Sequence, residues 1–401
     1  MKNTQNTTIN IAQSKRSLYR YLLITLGFLS AFGPFVTDMY LPALPSLAKE
    51  FSSTNSAAQL SLTMSMLGLA IGQILIGPVS DKYGRRKLLL GSLITYAVAT
   101  VGCIFSPNIQ LFNFMRLFQG MAGAGGIVLS RSIATDMYSG ERLTQFISMI
   151  AAVNGIAPVA APIIGGIILS FSTWKVIFWV LLAVGLILLA LSLRLRESLS
   201  QRNRLQLPLI SSFTNYKNLI HNRTYVIHFF IYMFSAFVLF TYISASSFIL
   251  QDIYELSSLM FSLCFAINAV AIAMGCAAAG HLAGKKSIKY GAMLMLSAAV
   301  LSVVTLNLLH TIVLVEVTFV VLMFSFGLLQ PVPTAIALDS ERTNAGVASA
   351  ALGASGFLVG GLVAPIVGMG NMLQTTAILF IIGALITGFF AFLSLKSKKN
   401  A

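Results

Sequence analysis

Eleven carboxylates occur in a chain of 401 residues, and their positions sort them. Asp81, Asp136, Glu141, Glu197, Asp339 and Glu341 lie in polar segments on one side of the apolar runs. Glu50, Asp252 and Glu255 lie in polar segments on the other. Only Asp38 and Glu316 fall inside apolar runs, where a carboxyl group can alternate between neutral and charged states and so carry a proton. Asp38 stands in FLSAFGPFVTDMYLPALP, before Pro42 and Pro45, so a helix-end position at the outer water interface is the competing explanation. Glu316, close to His310, is open to the same explanation.

One base shares this placement. Arg116 lies in FNFMRLFQGMAGAGG, where Asn113, Arg116 and Gly120 share a helix face. A guanidinium near the bilayer centre costs about 2.5 to 3.5 kcal/mol, so Arg116 should face a bundle interior or a watery cavity, with a partner. Counting from Arg20 puts Asp38 about 27 Å up the first helix, and counting from Arg131 puts Arg116 about 22 Å up the fourth. The two could meet in the outer half of the membrane.

The elements that must position these residues follow from composition. The chain is 57% hydrophobic and 9% charged, against about 25% charged in soluble proteins. It is an integral membrane protein with no room for a soluble domain. Apolar runs long enough to cross a hydrocarbon core recur at 18–42, 57–79, 88–106, 109–132, 144–170, 174–194, 223–250, 258–281, 288–308, 311–336, 345–368 and 372–395. All should be helices, because lone strands leave backbone groups unsatisfied in lipid. The first run is long and lacks a small-residue cleavage site, which predicts an uncleaved span and not a signal peptide.

Charge sets orientation. With the N-terminus in the cytoplasm, all but Lys49, Lys175 and Arg116 of the 26 lysines and arginines fall on the cytoplasmic side. The positive-inside rule then predicts that both termini are cytoplasmic. The net charge of +15 arises from these short flanking segments, which contain no nucleic-acid recognition motif. Cys103, Cys264 and Cys276 all lie within spans and read as small apolar fillers, and no His, Cys, Asp or Glu arrangement suggests a metal or nucleophile site.

The chain divides near its middle. A polar, basic stretch predicts a cytoplasmic linker at 196–222 between six-span bundles at 1–195 and 223–401. An offset of 203 residues aligns Gly72 with Gly275, Gly77 with Gly280, Asp136 with Asp339, Pro162 with Pro365 and Gly165 with Gly368. Such parallel repeats suit two bundles that rock about a midplane site; a duplicated scaffold or membrane enzyme is the alternative.

Three further motifs qualify this frame. GPVSDKYGRRKLLL follows span two: Gly77 would permit close helix approach, Gly84 a tight turn, and Asp81 can accept from a helix N-terminus or an arginine, with Arg85 and Arg86 beside it. The second-half copy, GHLAGKKSIKYG, has Gly284 where the offset predicts the acid. Span five holds AAVNGIAPVAAPIIGGII, in which Pro158 and Pro162 bend the helix, and Ala161, Gly165 and Gly166 allow another helix to come close.

The loop resembles the signature of the major facilitator superfamily, and R-x-x-Q-G in span four resembles that of its proton-coupled antiporters. With TDMYLPALP at 37–45, the set resembles the Bcr/CflA branch of drug:proton antiporters over nearly the whole chain, although Ala161 stands where the span-five pattern usually has Gly. The resemblance implies an all-α fold of twelve transmembrane helices in two pseudo-symmetric six-helix bundles, with a cavity lined mainly by spans one, four, seven and ten. It implies a monomer in the bacterial cytoplasmic membrane that exports small antimicrobial compounds against proton entry, with the proton gradient as energy source and no cofactor. Asp81 inherits the role of a latch against the start of span eleven. Asp38 is the expected proton acceptor, Arg116 its electrostatic modulator and Glu316 the next candidate. Asn113, Asn154, Tyr232, Tyr242 and Asn268 are candidate polar groups of the cavity. Export of one endogenous metabolite by the same machinery stays open, as does a transport-dead sensor or enzyme.

Overall fold

A computed structural model describes residues 19–138, 140–201, 204, 217, 219–282, 284–309, 311–341 and 345–396. Among them helix is the only regular secondary structure. The N-terminal bundle contains α1 (Tyr19–Glu50), α2 (Asn55–Tyr83), α3 (Arg85–Ile104), α4 (Ile109–Met137), α5 (Gly140–Phe171) and α6 (Trp174–Leu193). The C-terminal bundle contains α7 (Arg223–Ile253), α8 (Ser258–His281), α9 (Gly284–Leu309), α10 (Ile312–Ser340), α11 (Ala345–Val367) and α12 (Met372–Lys396). Ten are long and apolar enough to cross a membrane by composition alone, and α4 and α5 complete the twelve expected. Large apolar side chains such as Val98, Phe105, Phe171, Val313 and Phe389 stand exposed on the outside, as a lipid-facing surface requires.

Local chemistry sets the ends. Thr54, Asn108, Asn222 and Ser257 accept from backbone N–H groups of the first turns of α2, α4, α7 and α8. Gly84 ends α2 and starts α3 with φ +99°, a conformation open to glycine. Two helices continue past their expected ends through a break. α10 continues to Ser340 through a break at Gln330, because Pro331 and Pro333 redirect the helix without ending it. α1 continues to Glu50 in pieces: an α-helical segment Phe32–Asp38, a turn, a 3-10 segment Leu41–Ala43, and a final helix Leu44–Glu50. Pro42 has no N–H for the carbonyl of Asp38, so the α-helix stops there. The far end of α1 is fastened to α6, where Trp174 Nε1 donates to Glu50 Oε2 at 2.5 Å and Lys175 pairs with Glu50 at 3.0 Å.

The two bundles repeat one packing scheme. A Cβ on Gly72 would lie 2.5 Å from the Met121 carbonyl oxygen of α4, and one on Gly275 would collide with the Phe324 carbonyl of α10. Both glycine and carbonyl are displaced by the same 203 residues. Backbone contact between α2 and α4 therefore recurs between α8 and α10.

The bundles meet at one end and part at the other. The end carrying Arg85, Arg86, Lys285 and Lys286 is called the basic end below. At the opposite end Gln59 Nε2 donates to Ser244 O (3.1 Å), Gln251 Nε2 to Pro42 O (3.1 Å) and Ser56 Oγ to Pro365 O (3.5 Å). Gly166 of α5 lies against Ser258 and Ser262 of α8. Toward the basic end a cavity separates the halves.

Candidate functional site

Asp38 ends the α-helical segment of α1 and is 6% exposed. Thr37 Oγ1 donates to its Oδ1 at 2.8 Å. Among the described residues no lysine, arginine or histidine lies within 4.0 Å of it. Pro34, one turn before it on the same helix face, lines the cavity, so Asp38 sits one turn beyond the cavity roof.

Arg116 is wholly buried, facing the bundle interior as its cost in lipid requires. Its Nη2 donates to the Val36 carbonyl of α1 at 2.9 Å, and its Nη1 to Gln119 Oε1 at 2.5 Å. Gln119 Nε2 donates to Thr100 Oγ1 of α3 at 2.8 Å, and Thr100 in turn to the Tyr96 carbonyl. The guanidinium carbon lies 4.2 Å from the Tyr40 ring centroid and 5.6 Å from that of Phe178, in cation–π range. Arg116 thus meets α1, as the helix heights suggest, but through the backbone two residues before Asp38 and not through an ion pair with it. Helical rise fixes height, while the side chains' facing decides the partner.

The loop between α2 and α3 is a charge cluster. Arg85 pairs with Asp81 at 2.5 Å and with Asp136 of α4 at 3.1 Å, and it donates to Ser80 Oγ. Glu197, just beyond α6, accepts from the backbone N–H of Arg85 (2.9 Å) and Arg86 (3.3 Å) and so caps α3. Arg86 Nη2 donates to the Leu193 carbonyl at 2.9 Å. Of the two roles open to Asp81, it takes the arginine; Glu197 takes the helix N-terminus. A Cβ on Gly84 would lie 2.5 Å from Glu197 Oε2. Gly77 differs from expectation, since no atom lies within 4 Å of where its Cβ would be: it faces the open cavity and permits no helix contact in this conformation.

The cavity has two adjoining lobes of about 540 and 570 Å³ that share Gln73, Ile127, Arg131, Ser349 and Gly353. One opens past Asp81 and Thr135 at the basic end, and the other reaches Ser30, Gly33 and Pro34 of α1. Tyr232 lines it as expected. Asn113 does not: its Nδ2 donates to the Ala57 carbonyl at 3.2 Å, tying α4 to α2. Tyr242 and Asn268 lie in the C-terminal bundle's interior, Tyr242 between Phe265 and Phe319. Asn268 Nδ2 donates to Glu316 Oε1 at 2.6 Å, which places Glu316 with them and away from the cavity. The side chain of Asn154 lies outside the described residues. Gln73, Arg131, Gln330 and Ser349 line the cavity without any motif to announce them.

The span-five motif packs where small residues allow it. Pro158 and Pro162 lie inside α5, and Ala161 is fully buried. A Cβ on Gly165 would collide with the Met39 carbonyl of α1, and one on Gly166 with Ser262 Oγ of α8. The motif joins the broken helix to the opposite bundle.

Twelve helices in two pseudo-symmetric bundles, closed at one end around a central cavity open at the other, define a membrane transporter and not an enzyme. The chain belongs to the Major Facilitator Superfamily, whose pattern matches residues 26–365. It is 35% identical over 364 residues to the uncharacterized MFS-type transporter YdgK of Bacillus subtilis, covering 89% of this chain and 90% of that one. It is 31% identical over 372 residues to a bicyclomycin resistance protein homolog of Haemophilus influenzae, covering 90% and 92%. Among solved structures it is similar to a bacterial homolog of the human lysosomal transporter Spinster, in an inward-facing and unoccupied conformation. There the TM-score is 0.74 at 17% identity, over 94% of this chain and 97% of that one.

Proposed function

We propose that this transporter is a proton-driven exporter of small amphipathic antimicrobial compounds in the bacterial cytoplasmic membrane, with Asp38 as its proton acceptor. The observation that carries the reading is a buried carboxyl group at the break of α1, one turn beyond the cavity roof, with a threonine hydroxyl as its bonded partner. The resistance-protein relative supports the substrate class.

The positive-inside rule puts the basic end, and both termini, in the cytoplasm. The cavity is then open inward, ready to load substrate as Asp38 gives up its proton. The bundles 1–195 and 223–401 rock about the linker 196–222, Asp38 reloads from outside, and the empty carrier returns. Arg116 holds the α1 backbone beside the acid. As the cavity closes, Asp81 leaves Arg85 for the start of α11 and Gly77 meets a neighbouring helix. One pH unit supplies about 1.4 kcal/mol and 100 mV about 2.3 kcal/mol, enough for a gradient of roughly a few hundred-fold in a neutral substrate.

Proteoliposomes with an imposed proton gradient test this. Asp38→Asn, nearly isosteric, should abolish concentrative export yet retain folding and some substrate binding, and Asp38→Glu should keep partial activity. Full concentrative export by Asp38→Asn would rule the role out and pass it to Glu316.

A further inference from the structure

We propose that Arg131 makes the cavity selective by charge, so that it accepts neutral and anionic molecules and disfavours cations; this deepens the exporter reading and rests on it. Arg131 is shared by both cavity lobes, on α4 six residues before Met137. Three formally charged side chains line the cavity among the described residues: Asp81, Arg85 and Arg131. Asp81 and Arg85 are paired with each other at 2.5 Å, and Arg85 is shared with Asp136 at 3.1 Å, so both lining charges are already engaged. Arg131 has no ion pair within 4.0 Å and no hydrogen bond among the described residues. Among the described residues, Arg131 is thus the one charged side chain of the cavity lining that has no partner.

The other polar groups around Arg131 are neutral. Gln73, Tyr232, Gln330 and Ser349 offer amides and hydroxyls, which can both donate and accept. A guanidinium only donates, in a planar fork that fits a carboxylate, sulfonyl or phosphoryl group. An anionic or acceptor-rich molecule finds a partner there, while a cation meets a like charge, the lining carboxylate Asp81 being engaged by Arg85.

Orientation alone does not call for this geometry. A positive-inside residue serves at any azimuth of the helix end, including the lipid-facing one. Arg131 instead faces the opposite bundle across the cavity, beside Tyr232 and Gln330 of α7 and α10.

The test uses the full chain in proteoliposomes with an imposed proton gradient. Nalidixate serves as anion, chloramphenicol as neutral probe and ethidium as permanent cation. The native protein should favour nalidixate and chloramphenicol over ethidium. Arg131→Gln should lower the nalidixate-to-ethidium ratio of apparent affinities roughly five- to tenfold, the scale of one ion pair in a half-solvated site. Arg131→Lys should largely keep the ratio and Arg131→Glu should reverse it. If Arg131→Gln does not fold, the native ratio decides, and it should narrow as salt is raised. Ethidium transported as well as nalidixate by the native chain, or a ratio unmoved in both the Gln and Glu variants, would overturn the proposal. Native protein that moves chloramphenicol but shows no charge preference refutes the selectivity alone; movement of none of the three under the gradient refutes the exporter reading.

Discussion

Arg116 donates to the carbonyl of Val36 across 2.9 Å, joining the fourth helix to the first at a point where the first has run out of its own donors. The same guanidinium holds Gln119 and covers the ring of Tyr40. A lysine cannot reproduce this planar fork. Arg116→Lys should therefore lower thermal stability and slow transport, and Arg116→Ala should do more, leaving two buried acceptors unpaired at roughly 1–3 kcal/mol each. Unfolding of the purified variants in one detergent gives the order. Equal melting points for native and Ala would contradict the buried network.

The capped turn makes a second case. Valine at position 84 would need φ +99° and would press on the Glu197 carboxylate, so Gly84→Val should destabilise by roughly 2–4 kcal/mol or prevent folding. Glu197→Gln keeps the shape but weakens two charge-assisted bonds, and roughly 1 kcal/mol should be lost. Chemical denaturation of both variants measures the difference. An unchanged Glu197→Gln midpoint would mean the cap is idle.

Two glycines five residues apart on α2 should respond oppositely. Gly72 is pressed against α4, whereas Gly77 faces empty space. Gly72→Leu should unfold the bundle. Gly77→Leu should fold with native stability yet halt the cycle, because its new side chain fills the gap through which the halves must close. A cysteine at Ser349 would then stay open to a water-soluble maleimide applied from the basic end whether or not substrate is present. Substrate-dependent protection in that variant would count against the closing role of Gly77.

Asp81 is 47% exposed and its pair with Arg85 should add little to stability, about 0–1 kcal/mol. Asp81→Asn should therefore melt like the native protein and still turn over roughly tenfold more slowly, since the proposed latch to α11 would lose its charge. Native turnover would leave the residue as a rim charge and nothing more.

The twelve helices and the twofold repeat were open to reading because each leaves a local mark: a long apolar run, a proline without an N–H, a glycine at a fixed offset. Gly84 predicted a turn for that reason, and Pro42 with Pro45 offered a helix end after Asp38 as the competing explanation of that acid. What long-range pairing decides was not open in the same way. Glu197 caps a helix that begins 112 residues earlier in the chain, and no spacing rule connects the two. Arg116 was expected to seek an acid and found a carbonyl, which every residue possesses and no sequence displays. Asn113, Tyr242 and Asn268 are polar on apolar helices, yet each faces a neighbouring helix and not the cavity, since hydropathy does not distinguish one buried face from another. Gln73 drew no notice, and Arg131 counted only as an orienting charge, for the converse reason: at the basic end of a span, polarity looks ordinary.

The broken first helix has a consequence for how this protein tolerates change. Its interruption frees the carbonyls of Val36, Met39 and Pro42, and these receive Arg116 of α4, the close approach of Gly165 of α5 and Gln251 of α7. Pro45 has no N–H with which to reclaim the carbonyl of Pro42. Three helices thus moor to main chain that no point substitution at positions 36, 39 or 42 can delete. A side-chain scan of this stretch would underrate it, while the insertion or loss of a single residue would cast off all three moorings together.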